Sequence, residues 1–213
     1  MTKAEIAFLL TLAAAICAPR GAAAVERQFV VVGYLPEYRV AEVAAGKLAP
    51  VTDLVYFGLA PPADGRIPSP PVAPQTLRKL HEIKRTANCR LLLCVGGWNR
   101  SAGFAQLVQS EAARRRFIAG LTEICRGSEF DGVDFDWEHP QGAAQVAAYA
   151  RLLAETKAAF AESRLLVTVA QAEWQDLGEA TYAAVDRVHL MSYDHAFPQA
   201  TFAKSKADVD RLV

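Results

Sequence analysis

Four acidic residues stand close together in one short apolar stretch of the sequence, "FDGVDFDWEHP". They are Asp131, Asp134, Asp136 and Glu138. Carboxylates are rarely buried without partners, because an ionised group loses its hydration there. Neighbouring carboxylates on one face of a strand lie roughly 6–7 Å apart, so they cannot all ionise in a partly dry interior. The stretch therefore predicts at least one acid that keeps its proton at neutral pH and can donate it in general acid catalysis.

The alternation of side chains along a β-strand assigns these acids to faces. Asp134, Asp136 and Glu138 share one face. The other face carries Val133, Phe135 and Trp137. Asp131 has the opposite parity and comes at the start of the strand, so it is interpreted, with Gly132, as a structural part of the motif. An exposed strand face and a hard-cation site are the alternatives. The apolar opposite face disfavours the first, and acids in a line do not surround an ion.

Six near-continuous apolar runs predict the strands of the fold. They lie at 29–35, 53–60, 90–98, 130–138, 164–171 and 186–194. Runs of this kind are typical of parallel strands that are covered on both faces. Amphipathic helical patterns alternate with them, and this alternation indicates βα units on a parallel sheet.

The number of βα units bounds the fold class, which is α/β. A (β/α)8 TIM barrel needs eight units, typically in about 250 residues, and this chain of 213 residues contains six. Either the sheet is open and doubly wound, or the barrel is incomplete with about six βα units. The row of acids favours the incomplete barrel. There it would point inward and place Glu138 nearest the C-terminal mouth, where barrel active sites are built.

The first 24 residues are typical of a signal peptide. Lys3 precedes an apolar run over 6–18, and the small residues Ala22–Ala24 suit a cleavage site. The run is too short to span a bilayer, so no stable membrane insertion is predicted. We expect a secreted or periplasmic protein, with cleavage after Ala24 and one catalytic domain over 25–213. An anchored or buried N-terminal helix is the alternative.

Composition argues against several kinds of partner. The 23 basic and 23 acidic residues give a net charge of zero, so no nucleic acid or anionic membrane is expected to bind. The four histidines lack zinc-ligand spacing, and neither a metal nor another cofactor is predicted. Cleavage would leave Cys89, Cys94 and Cys125, an odd number interpreted as buried thiols. A Cys89–Cys125 disulfide is the alternative.

The acidic strand and three other segments resemble one known family. "DGVDFDWE" is similar to the D-G-x-D-x-D-W-E signature of family 18 glycoside hydrolases, the chitinase family. "VVGYLPEY" at 31–38 resembles the family's first strand, and "CVGGW" at 94–98 resembles its S-x-G-G motif on strand three. "MSYD" at 191–194 resembles its M-x-Y-D at the end of strand six. The resemblance covers about residues 29–213.

The chain departs from the family in three respects. Cys94 takes the place of a Ser, and His139 follows the acidic strand where many members have Tyr. The family's seventh and eighth strands, the eighth with a Trp at the sugar site, have no counterpart. Strands one and six would then be unpaired edges. We therefore expect the 213-residue chain to be poorly stable or inactive unless a partner piece completes it.

The resemblance implies a role for each matching residue. Glu138 would protonate the glycosidic oxygen, and Asp136 would orient the substrate's acetamido group. Asp134 would exchange a proton or a hydrogen bond with Asp136, and Tyr193 would donate a hydrogen bond to the acetamido carbonyl. The residues assigned to substrate binding are Tyr34, Gly97, Trp98, Met191 and Asp194. Substrate assistance replaces an enzyme nucleophile in this family, so retention of configuration through an oxazolinium ion is implied.

The implied function is hydrolysis of β-1,4-linked N-acetylglucosamine polymers, chitin or chitooligosaccharides, by an exported enzyme. An endo-β-N-acetylglucosaminidase or a peptidoglycan hydrolase is the alternative within the family. A sugar-binding lectin on the same barrel is an alternative of another class, which the presence of Glu138 argues against. A truncated product without function is the third alternative.

Overall fold

A six-stranded parallel sheet forms the centre of the molecule. The computed structural model describes residues 29–194 and 199–212. Each strand pairs with the next one along the chain, in the order β1-β2-β3-β4-β5-β6. The strands are β1 Val32–Pro36, β2 Asp53–Leu59, β3 Arg90–Gly96, β4 Gly132–Asp136, β5 Leu166–Ala172 and β6 Arg187–Met191. All six predicted strands are confirmed. The predicted signal peptide, 1–24, lies outside the described residues and stays a prediction.

Helices connect the strands, and short sequence signals set their ends. The α-helices are α1 Pro74–Ala87, α2 Phe104–Leu107, α3 Glu111–Gly127, α4 Gly142–Phe160, α5 Glu179–Tyr182 and α6 Phe202–Leu212. Two 3₁₀ helices, Glu37–Glu42 and Ala45–Leu48, form the first crossover. Helix α1 begins with a proline, which is preorganised for a first turn, and ends where Asn88 turns left-handed at φ 50°. The Ser110 side chain caps α3 by accepting the Ala113 N–H at 3.2 Å.

The sheet curls so that side chains of its first and last strands meet. Tyr34 Oη on β1 lies 2.8 Å from His189 Nδ1 on β6. Arg187 of β6 forms an ion pair at 2.7 Å with Asp53 of β2, and Arg90 of β3 binds the same carboxylate. A curled sheet in sequential strand order is the start of a (β/α)8 barrel, whereas a doubly wound sheet reverses its order at a switch point. The incomplete barrel is confirmed, and the open doubly wound sheet is not formed.

The convex face of β4 packs against the helices. Val133 and Phe135 are fully buried. Trp137 stacks on Phe104 of α2 with ring centroids 5.1 Å apart, and it meets Tyr149 of α4 edge-on at 5.3 Å. These contacts follow the alternation expected from the sequence, and they leave the concave face of β4 to the acids.

The described cysteines are buried and free. Cys89, Cys94 and Cys125 are unpaired thiols in the structure, so the predicted buried thiols are confirmed and the alternative Cys89–Cys125 disulfide is wrong. Burial raises the pKa of Cys125 to about 12, which keeps this thiol protonated. Within 29–194 and 199–212, no helix is long and apolar enough to cross a membrane. The same residues contain no group of three or more His, Cys, Asp or Glu that could hold a metal ion.

Candidate active site

A cavity of about 380 Å³ opens at the carboxyl end of the sheet, beside the end of β4. Its lining residues come from strands β1, β2, β4, β5 and β6 and the residues just after them. They are Tyr34, Pro36, Phe57, Asp136, Glu138, Ala170, His189, Leu190, Met191 and Tyr193. The size is in the usual range of about 300–1,000 Å³ for small-molecule sites. Asp136 and Glu138 therefore reach a cavity at the mouth of the barrel.

Asp134 is the innermost acid of the row, and three other strands, β1, β5 and β6, supply its partners. Tyr34 Oη of β1 donates a hydrogen bond to its Oδ2 at 2.7 Å. Thr168 of β5 donates to its Oδ1, and His189 Nδ1 of β6 lies 3.1 Å from the same oxygen. Burial, then the charge of Asp134, raises the pKa of Tyr34 well above its usual value, so the phenol keeps the proton that it donates.

Asp136, the middle acid, is buried and poorly partnered. Its Oδ1 has no hydrogen-bond partner among the described residues. The expected exchange of a proton or a hydrogen bond between Asp134 and Asp136 stays a prediction, since donors from other strands occupy Asp134 in this structure. Burial, with smaller effects from Glu138 and then Asp134, raises the pKa of Asp136 to about 8. This value confirms that one acid of the row keeps its proton at neutral pH.

Glu138 lies two residues beyond β4, with 13% of its side chain exposed. Burial raises its pKa, while the neighbouring His139 acts in the opposite direction. His139 Nε2 is 3.9 Å from Glu138 Oε2. His139 also lies edge-on to Trp174, and its Nδ1 is 3.1 Å from Gln175 Oε1. A carboxyl with a raised pKa at a cavity wall suits a proton donor.

The loop after β3 holds the end of β4 in place. The Gly97 N–H donates to the Asp136 carbonyl at 2.6 Å. Ser101 Oγ accepts the Glu138 N–H at 3.0 Å and lies 3.1 Å from the Asp136 carbonyl. Gly97 has φ +94°, and a Cβ there would stand 1.8 Å from the Phe57 ring. Gly97 is thus a backbone support beside the cavity rather than one of its lining residues.

The end of β6 and the residues after it carry Met191, Tyr193 and Asp194, which have different surroundings. Tyr193 and Met191 line the cavity. Burial, then the charges of Asp136 and Glu138, raises the pKa of Tyr193 to about 12, so its hydroxyl remains a donor. Asp194 is exposed with φ 60° and is not among the lining residues. It follows the end of β6 at Met191, its backbone turns left-handed, and its expected contact with a substrate stays a prediction.

Two exposed tryptophans flank the catalytic strand. Trp98, 70% exposed, borders a second, shallower hollow of about 580 Å³ that also reaches Glu138 and His139. Trp174 is 60% exposed and contacts His139. Both rings are mostly outside the core, so each has apolar surface that a ligand could contact.

Asp131 and Gly132 act on the structure at the start of β4, as expected. Asp131 Oδ2 accepts the Leu91 N–H of β3 at 2.7 Å and forms an ion pair with Lys84 of α1 at 2.7 Å. A Cβ at Gly132 would lie 2.3 Å from the Leu166 carbonyl, so β5 approaches too closely for a side chain.

Three polar residues at the site were missed from the sequence: Ser101, Thr168 and His189. Thr168 and His189 lie on the concave face of β5 and β6, where parity with Ala170 and Met191 could have placed them. Ser101 had no comparable signal, because its contact depends on how the β3 loop returns to β4.

Comparison with known proteins gives a consistent match. The family model described as glycosyl hydrolases family 18 matches residues 30–211. A probable endochitinase of Caenorhabditis elegans is 36% identical over 132 residues, which are 55% of this chain. This chain spans only 21% of the length of that protein.

Solved structures share the fold. A GH18 chitinase mutant from Cycas revoluta in complex with (GlcNAc)4 has a TM-score of 0.67 and 26% identity, covering 79% of this chain and 56% of that one. The GH18 chitinase ChiB of Flavobacterium johnsoniae has a TM-score of 0.71, covering 85% of this chain and 62% of that one. Its identity of 18% supports the fold alone.

Proposed function

This chain belongs to glycosyl hydrolases family 18, and from that premise we propose that it hydrolyses β-1,4-linked N-acetylglucosamine polymers, chitin or chitooligosaccharides. One observation carries the proposal. Glu138, whose pKa burial raises, shares a cavity with Asp136, whose pKa of about 8 keeps its own proton in place. The Cycas revoluta relative in complex with (GlcNAc)4 supports the substrate class.

Glu138 is the proton donor in the proposed reaction. It gives its proton to the glycosidic oxygen as the bond from that oxygen to the anomeric carbon breaks. The carbonyl oxygen of the substrate's own N-acetyl group bonds to the anomeric carbon and forms an oxazolinium ion. Water then attacks that carbon, the bond to the acetyl oxygen breaks, and a proton of the water returns to Glu138. The configuration is retained.

The other cavity residues position the acetamido group rather than attack the sugar. A protonated Asp136 is a poor nucleophile, but its unpartnered Oδ1 can form a hydrogen bond with the acetamido group. Tyr193 keeps its proton and can donate to the acetamido carbonyl oxygen. Such preorganised donors act where charge develops in the transition state.

The test compares the 213-residue chain, assayed together with the partner piece that it is expected to need for activity, with its Glu138→Gln variant on chitooligosaccharides. We expect kcat to fall by roughly 10²- to 10⁴-fold, the usual contribution of a general acid. Affinity for the oligosaccharide, measured by calorimetry, should change little because the amide keeps the carboxyl's shape. The matched control is Glu162→Gln, which removes the same charge from an exposed position and should leave kcat unchanged.

Undiminished hydrolysis by folded Glu138→Gln would overturn the assignment of the acid. A wild-type chain that binds the oligosaccharide without hydrolysing it would favour the sugar-binding alternative. N-glycans and peptidoglycan fragments in the same assay separate the substrates within the family.

A further inference from the structure

His189 on β6 is a half-buried titratable residue that the proposed reaction does not use. Only 13% of its side chain is exposed, and it lines the cavity with Asp136 and Tyr193. Its Nδ1 lies 2.8 Å from Tyr34 Oη and 3.1 Å from Asp134 Oδ1. Its Nε2 is buried and has no hydrogen-bond partner in the described part of the chain.

The neighbours of Nδ1 determine which ring nitrogen carries the proton. The single hydroxyl proton of Tyr34 points to Asp134 Oδ2, so the Tyr34 oxygen offers only lone pairs to His189. An ionised Asp134 is likewise an acceptor only. With Asp134 ionised, Nδ1 faces two acceptors, so its proton lies between the Tyr34 oxygen at 2.8 Å and Asp134 Oδ1 at 3.1 Å. Nε2 is then the ring nitrogen that lies at the cavity without a hydrogen-bond partner among the described residues.

This donor completes an unequal distribution of hydrogen bonds along the acidic row. Tyr34 and Thr168 donate hydrogen bonds to Asp134, and Nδ1 of His189 approaches its Oδ1 at 3.1 Å. Donors of this kind stabilise the ionised form of a carboxyl group. Asp136 Oδ1 lacks any partner within the described residues. A proton shared between these two acids is therefore favoured on Asp136, next to Glu138.

We propose that His189 is a positioning residue that holds Asp134 ionised through its Nδ1–H and so keeps the proton of the acidic row on Asp136. The kinetic part of this inference rests on the proposed function, whereas the assignment of the Nδ1 proton does not. Tyr34 donates to Oδ2 of Asp134 and Thr168 to Oδ1, the oxygen that His189 Nδ1 also approaches.

Several ionisable groups share this end of the sheet with His189. They are Tyr34 on β1, Cys94 on β3, Asp134 and Asp136 on β4, Glu138 after β4, and Tyr193 after β6. Further along the concave face of β6, Arg187 is paired with Asp53. Tyr193 and Tyr34 have raised pKa values, and Cys94, by burial first, has a raised pKa as well. Near neutral pH, the proton that can change place is therefore the one within the row of acids.

Removing the donor should change the pH profile in a specific way. In His189→Leu, the state with the proton on Asp136 and the state with both acids ionised lose the same hydrogen bond. The state with the proton on Asp134 loses no such hydrogen bond. Its population therefore rises at the expense of the active state, in which Asp136 carries the proton. We expect the plateau of kcat to fall roughly 10- to 100-fold, as for one hydrogen bond to a charged group, and the alkaline limb to rise by about 1–2 pH units. The two profiles then converge at high pH.

Two further variants separate the donor from the shape of the ring. His189→Asn places an amide N–H near the position of Nδ1 and should keep kcat within about threefold of wild type. His189→Gln carries its amide further out, near the position of Nε2, and should behave like His189→Leu. The matched control is His81→Leu, because His81 lies on α1 and contacts the Ser128 carbonyl away from the site.

The proton on Nδ1 can also be observed without any assay of activity. Nitrogen-15 NMR of imidazole-labelled wild-type chain, with the His189 signals identified by their loss in His189→Asn, should show a protonated Nδ1. An unprotonated Nδ1 would overturn the inference, even if the variants do not fold or the chain hydrolyses nothing. A fall in kcat by the same factor at every pH in His189→Leu would also overturn it, since that is the result of general damage to the structure.

Discussion

Asp136 keeps a proton at a pH where an aspartate in water has lost it. Its carboxyl is buried, two acids flank it on the same face of β4, and Oδ1 has no partner among the described residues. Asp134 is as deeply buried but has donors from β1, β5 and β6. Chemically identical side chains two residues apart therefore have different tasks, and their hydrogen-bond partners decide which one carries the proton.

Replacing Asp136 by Asn should change how stability depends on pH. The pKa of Asp136 is about 8 in the folded chain and near 4 in the unfolded one, so between these values only the folded chain binds the proton. The free energy of unfolding should then fall as pH rises from 5 to 8, by an amount on the order of several kcal/mol. Asp136→Asn cannot titrate and should lose most of this slope.

Urea midpoints at pH 5 and pH 8 measure the effect. The control is Asp210→Asn, because Asp210 is an exposed carboxylate on α6. Equal pH slopes for Asp136→Asn and wild type would contradict the raised pKa.

The sequence predicted the acids of the site but not their partners. Alternation along one strand is local, so it placed Asp134, Asp136 and Glu138 on one face correctly. The donors Tyr34, Thr168 and His189 lie up to 155 positions apart, and only the curl of the sheet brings them together. Asp194 was assigned from the resemblance to the M-x-Y-D motif, which does not indicate how the backbone turns after β6 ends at Met191.

At the scale of elements, the loop after β3 determines where β4 can end. Two glycines, Gly96 and Gly97, take φ values of +99° and +94°, which other residues rarely adopt. They allow the loop to pass close to the Asp136 carbonyl and the Phe57 ring. Ser101 then bridges the loop to the Glu138 N–H. The strands were predictable from apolar runs, but this loop was not, because its contacts have no repeat in the sequence.

Gly97→Ala should damage both stability and the cavity. The added Cβ would lie 1.8 Å from the Phe57 ring, which itself lines the cavity, and the positive φ adds strain. We expect a loss of more than about 2 kcal/mol in the free energy of unfolding. The control, Gly127→Ala at the end of α3, meets nothing within 4 Å and should be neutral or slightly stabilising. A Gly97→Ala chain with the urea midpoint of wild type would contradict the close packing.

At the scale of the whole molecule, one buried carboxylate ties distant strands together. Asp53 of β2 is fully buried and bonds to Arg90 of β3 and Arg187 of β6. Burial alone would raise its pKa, but the hydrogen bonds from the two arginines outweigh it and the pKa is lowered. The ion pairs join the second strand to the sixth, and so they help to hold the curl that places the site.

Asp53→Asn should therefore destabilise the whole chain. Two partly exposed arginines would lose a buried anionic partner, and losing hydrogen bonds to a charged group costs about 1.5–3 kcal/mol. The deficit should shrink as the pH falls through the lowered pKa of Asp53, because the wild-type carboxyl then becomes protonated as well. Thermal unfolding at pH 7 and pH 3 measures both parts.

The exposed pair Lys206–Asp210 provides the comparison for Asp53→Asn. Both side chains are more than half exposed, and Asp210→Asn should cost less than about 1 kcal/mol. An Asp53→Asn variant that is no less stable than Asp210→Asn at pH 7 would contradict a structural role for the buried cluster.

The contact between Tyr34 and His189 links the curl of the sheet to the protonation of the acidic row. These residues belong to the first and last strands, and together they donate to the carboxylate that decides where the acidic proton resides. A slight flattening of the sheet would lengthen the contacts of Tyr34 and His189 with Asp134 while all the strands remained paired. The proton would then redistribute along β4 while the backbone remained folded. The proposed proton donor, Glu138, would therefore respond to how closely β1 and β6 approach each other.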